Sequence, residues 1–89
     1  MRAIVTVVGK DRVGIIADVC TRLAEWQVNI LDISQTVMQG NFTMTMLVDL
    51  EKCEMPFQDV SERLRLRGEE ISLSIRMQRE DIFEAMHRL

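Results

Sequence analysis

Aromatic residues are scarce: the chain has no tyrosine, one tryptophan and three phenylalanines among 89 residues. A surface that stacks nucleobases needs aromatics on its central strands, and only Phe42 is available there, in an alternation class that points to a core. Histidine is scarcer still. His87 stands alone at the end of a helical pattern, where it suits the helix dipole better than it suits a base or a metal. The two cysteines, Cys20 and Cys53, have no spacing that resembles a disulfide framework or a zinc site, so both read as free thiols. No apolar run approaches the roughly 18 to 20 residues of a membrane-spanning helix. Met1-Arg2 leads straight into a strand-like run with no room for a signal peptide, so the cytoplasm is the expected compartment. Neither sign of charge dominates: 11 basic against 14 acidic residues give −3, which argues against a surface built to neutralise nucleic acid. No serine, cysteine or carboxylate has a recognisable catalytic partner. An enzyme, a metal site and a cofactor are therefore not expected, and neither nucleic acid nor a membrane is an expected partner.

What remains is ordinary globular material, 47% hydrophobic and 28% charged, enough for one domain. A chain this short buries only roughly 60–65% of its unfolded surface. Residues 2 to 9 form a β-branched run without charge between Ala3 and Val8, which predicts a central strand buried on both faces. From Arg12 to Gln27 the positions Ile16, Val19, Cys20, Leu23 and Trp26 recur at helical spacing, with Asp11 as the expected N-cap. Ile30 to Met38 reads as a second strand, Gln39-Gly40-Asn41 as a turn, and Phe42, Met44, Met46, Val48 and Leu50 as the core side of a third strand. Pro56 opens a second helix with a stripe of Phe57, Val60, Ser61 and Leu64, and Gly68 stands where a C-cap is expected. Ile71, Leu73, Ile75 and Met77 then alternate along a fourth, edge strand. Residues 80 to 89 repeat Ile82, Phe83, Met86 and Leu89 at helical spacing. Arg63, Arg65 and Arg67, with Glu62, Glu69 and Glu70 beside them, read as a solvated mixed-charge face. Among seven methionines, Met44, Met46 and Met77 fall on core faces, so packing explains them better than metal binding.

The order βαββαβ predicts an α+β ferredoxin-like sandwich: a four-stranded antiparallel sheet over residues 1–79 with both helices on one face, and a short C-terminal amphipathic helix over 80–89. Two layers leave the far face of the sheet open, so a homodimer is the economical expectation. The fold alone does not name a function. A metal chaperone needs two cysteines in the first strand-to-helix loop, and Lys10-Asp11-Arg12-Val13 has none.

That loop is nevertheless the most informative passage. A glycine-flanked helix start after a strand points backbone N–H groups outward, where they suit an anion. V-V-G-K-D-R-V-G-I-I-A-D-V, followed by L-A-E-W-Q-V-N-I-L-D-I-S-Q, resembles the ACT domain, a small ligand-binding regulatory module of amino-acid metabolism. The resemblance covers the whole chain and is most specific over residues 7 to 35. It is near the branch of the glycine-cleavage repressor and formyltetrahydrofolate deformylase, and nearer to short bacterial proteins made of one such domain. Val13 departs from the pattern, because related loops often carry proline there. The resemblance implies amino-acid or similar small-ligand binding at a dimer interface. In this sequence the N–H groups around Val13, Gly14 and Ile15 would hold a carboxylate. Asp11 would meet an ammonium, Asn29 would offer an amide, Ile30 would line the pocket, and Arg12 is a further candidate. Each has a structural alternative: Asp11 as a cap, Gly14 as a close-packing residue, Asn29 as a turn residue. Two readings survive. One is a small-molecule sensor that reports to a separate effector protein. The other is a ligand-free interaction module using the open sheet face or the tail helix.

Overall fold

The computed structural model describes residues 1–87, with side chains described as far as Glu84. It runs β1 (Arg2–Lys10), α1 (Ile15–Glu25), β2 (Asn29–Met38), β3 (Asn41–Asp49), α2 (Phe57–Glu70), β4 (Ser74–Arg79) and α3 (Glu80–His87). The strands form one antiparallel sheet in the order β2-β3-β1-β4, the expected ferredoxin-like arrangement. Alternation decides which side of each strand is dry. Ala3, Val5 and Val7 of β1 lie opposite Val48, Met46 and Met44 of β3, and all six are buried. Ile15, Val19 and Leu23 of α1 and Val60 and Leu64 of α2 close the core from the same side.

The other face of β1 is not dry. Ile4 and Thr6 are half-buried and Val8 is exposed, because both long helices lie on one side. The charge-free run therefore marks a central strand but not one covered on both faces. A bulge at Leu31 shifts the register of β2 on β3, so Ile33 and Val37 face the helix side near the sheet edge yet remain exposed.

Both helix ends differ from the sequence reading for one reason. The residue in the left-handed C′ position is not glycine: Gln27 follows α1 at φ 60° and Ser72 follows α2 at φ 59°. The next N–H groups, of Val28 and Leu73, reach back to the carbonyls of Leu23 and Gly68 at 2.9 and 2.8 Å, closing a Schellman-type cap on each helix. Gly68 is thus inside α2, not at its cap, and β4 starts at Ser74, not Ile71. A Cβ on Gly68 would stand 2.5 Å from the Leu73 carbonyl oxygen, so close packing is its role. α1 begins at Ile15, not Arg12, and its N-cap is Gly14, not Asp11. Within the tail Glu80–His87 form a helix, turning back beside β1 and β4, where Glu80 pairs with Arg2 at 3.3 Å. The expectations for the Met86, His87, Arg88 and Leu89 side chains lie outside the described residues.

Candidate functional site

The β1–α1 loop is built by a strand that ends and a helix that cannot yet begin. The Asp11 N–H donates to the Gly40 carbonyl of the neighbouring hairpin turn at 2.8 Å, and the exposed Arg12 guanidinium donates to the Ile71 carbonyl at the end of α2. The loop is therefore held from both sides. Val13 projects wholly into solvent between these anchors. Gly14 has φ 93°, a conformation that other residues adopt only with strain, and it turns the chain into α1. Ile15 is buried in the core, so only its backbone is available to a ligand. The Asp18 N–H takes the Gly14 carbonyl at 2.9 Å, while the N–H groups of Ile15, Ile16 and Ala17 have no acceptor within the helix. No side chain caps this end. A shallow cavity of about 330 Å³ opens here, lined by Gly14, Ala17, Asp18, Thr21, Arg22 and Glu25.

Asn29 and Ile30 are elsewhere. Asn29 pairs with Asp49, and Asp49 pairs with Arg2 at the start of β1. The loop follows Lys10 at the other end of that strand, eight residues on, or roughly 26 Å at strand rise. Within the chain the structure brings Asp11, Arg12, Val13, Gly14 and Ile15 together and leaves Asn29 and Ile30 apart. Asn29 lines its own cavity of about 380 Å³, with Ala24, Gln27, Val28, Asp49, Glu51 and Lys52. Sequence reasoning missed Gln27, Asp49, Glu51 and Lys52, since no periodicity connects the end of α1 with the end of β3. Ile30 is half-buried opposite Val48.

The electrostatics near the loop centre on Asp18. Arg67 of α2 donates to both of its oxygens, at 3.0 and 2.5 Å, and Arg22 stands 3.6 Å away. The Arg67 hydrogen bonds, reinforced by both charges against the burial that opposes them, hold the Asp18 carboxyl below its usual range. Burial pushes the Cys20 thiol up, which keeps it protonated at neutral pH and a poor nucleophile. No group of three His, Cys, Asp or Glu side chains among the described residues is placed to hold a metal.

The fold around this loop is the βαββαβ sandwich that the sequence motif implied. The ACT domain family matches residues 2–78. The chain belongs to the ACT domain family. Its relatives include a UPF0237 protein of Listeria innocua, 51% identical over 89 residues and covering all of both chains. An ACT domain protein from Streptococcus pneumoniae is similar in structure, with a TM-score of 0.82 and 41% identity over 98% of each chain. Two longer proteins share the fold over part of their length. A formyltetrahydrofolate deformylase from Pseudomonas syringae aligns at TM-score 0.79 and 26% identity, covering 88% of this chain and 27% of the enzyme. A chain described as a glycine cleavage system transcriptional repressor aligns at 0.73 and 28%, covering 86% of this chain and 44% of its own. ACT domains are in general small-molecule-binding regulatory modules, and this one carries the module with α3 appended beyond the matched residues. No helix among its described residues is long and apolar enough to cross a membrane.

Proposed function

We propose that this ACT domain is a homodimeric, non-catalytic sensor of a small amino acid, with each site divided between two copies. The observation that carries this reading is the edge strand β2. It spans ten residues, has only one paired edge, and exposes Leu31, Ile33, Val37 and Met38. An open edge with exposed apolar side chains invites another strand. The opposite edge, β4, is six residues long and carries Arg76 and Arg79.

Antiparallel pairing of β2 with its own copy about a two-fold axis places Asn29 of one chain beside Met38 of the other. Met38 pairs with Asn41 and Asn41 with Lys10, where the loop begins. Ends that are roughly 26 Å apart within a protomer thereby become neighbours across the seam. Asp11, Arg12, Val13, Gly14 and Ile15 of one copy then face Asn29 and Ile30 of the other. The bare amides after Gly14 suit a carboxylate and Asp11 suits an ammonium. Ligand bound across the seam stabilises the dimer by linkage, and a separate effector protein reads that state. The free thiols of Cys20 and Cys53 fit a cytoplasmic setting.

Calorimetry against a panel of amino acids tests the reading. The wild type is expected to bind at least one of them, with heat lost in Gly14→Leu and in Asn29→Ala. A wild type that binds none, or an unaltered affinity in Asn29→Ala, overturns it.

A further inference from the structure

The structure separates three arginines that are neighbours in sequence. Arg65 lies on the β4 side of α2 and is tied by Glu62 at 2.6 Å and Glu69 at 2.7 Å. Arg63 and Arg67 turn the other way, into a groove of about 230 Å³ between α1 and α2 whose remaining walls are Arg22, Trp26, Leu66 and Glu70. Trp26 is partly buried and rests on the core, while Leu66 is 43% exposed.

The groove is built, because Asp18 holds two of its three cations in place. It accepts from Arg67 at 3.0 and 2.5 Å and lies 3.6 Å from Arg22. Arg67 also donates to Glu70 at 3.2 Å. Arg63 has no ion-pair or hydrogen-bond partner among the described residues. Three guanidiniums against Asp18 and Glu70 leave a net charge of +1, on a chain whose own net charge is −3. Arg63 and the loosely paired Arg22 are the two cations with donors to spare. Planar guanidiniums recognise phosphate through paired N–H bonds, and an indole face beside them offers a stacking surface for a planar ring.

We infer that this groove is a second ligand site, for a phosphorylated small molecule that carries an aromatic ring. Its phosphate lies between Arg22 and Arg63 and its ring lies against Trp26 and Leu66. Glu70, at the rim, disfavours ligands with charge beyond that phosphate. The groove shares Arg22 with the cavity at Gly14, but Trp26, Arg63 and Leu66 line the groove alone.

Trp26 is the only tryptophan, so its fluorescence reports this groove directly. The full-length chain is titrated with adenosine monophosphate, adenosine, inorganic phosphate and benzoate. Adenosine monophosphate is expected to change the emission saturably, with the other three binding at least about tenfold more weakly. Arg63→Ala and Arg22→Ala should each weaken it by about tenfold or more, while Arg65→Ala, of equal charge change, leaves it unaltered. Calorimetry of Trp26→Ala, with far-UV circular dichroism as the fold control, should show loss of the nucleotide but not of amino-acid binding. A flat nucleotide titration overturns the inference. So does equal weakening by all three arginine variants, which would mean general attraction and no site. Phosphate alone binding as tightly as the nucleotide removes the aromatic half of the assignment, and benzoate doing so removes the phosphate half.

Discussion

Asn29 and Lys10 stand at opposite ends of one sheet, joined by the pairings Asn29 to Asp49 and Asp49 to Arg2 and then by the length of β1. The loop after Lys10 and the amide of Asn29 cannot serve the same small ligand in a single copy. The proposed two-fold axis through β2 would remove the separation and make dimerisation part of the binding site.

The seam itself is open to test. Ile33 lies on the helix side of β2 opposite Met46 and is 42% exposed. Ile33→Arg places a charge in the proposed seam but in solvent within the monomer, so the fold should survive while the mass in solution falls from dimer to monomer. Sedimentation with circular dichroism reads both; a dimer that persists means that another surface holds the copies together.

Gly68 measures how tightly α2 seats on β4. Its substitution by alanine adds a methyl 2.5 Å from the Leu73 carbonyl, a backbone atom that cannot rotate away. Overpacking costs about 1–3 kcal/mol, against about 1 kcal/mol gained in helix propensity, so urea unfolding should show a net loss of stability. Gly9→Ala meets the mobile Leu73 Cδ2 first and should lose less.

How much of this was legible in the sequence depends on the range of the signal. Alternation in β3 and helical spacing in α1 and α2 are local; of the residues they marked, Phe42, Met44, Met46, Val48, Leu50, Val19, Leu23, Val60 and Leu64 are buried, while Ile16, Cys20, Trp26, Phe57 and Ser61 are half-buried. The helix ends were displaced because Gln27 and Ser72, not glycine, adopt the left-handed turn. The loop was found because its motif is contiguous. The distance from Asn29 to the loop was not, since sheet order sets it, and neither was the cavity shared by Gln27, Asp49, Glu51 and Lys52. Arg63 and Arg67 looked like solvated charge until α1 supplied Arg22 and Trp26 across from them.

Asp18 ties α1 to α2 and gives the fold an acid limb. Its carboxyl lies below the ordinary value of 3.8 when folded, chiefly through the hydrogen bonds from Arg67. A group depressed in the folded state contributes its stability above the unfolded value and loses it as pH falls through the folded one. Thermal unfolding should therefore show a wild type that weakens below the ordinary carboxylate range. Asp18→Asn should start from a lower Tm at neutral pH and show a flatter acid limb. Parallel profiles for the two chains would mean that Arg67 does not stabilise the charged carboxylate.

In the proposed dimer one ligand site takes its loop from one copy and its Asn29 from another. Gly14→Leu and Asn29→Ala chains, each unable to bind alone, are unfolded together, refolded as a mixture and titrated with an amino acid that the wild type binds. Half of the resulting dimers are mixed and each holds one intact site, so binding should return at wild-type affinity with about one quarter of the wild-type site number. A mixture that stays as silent as its two components would show that the site lies within a single copy.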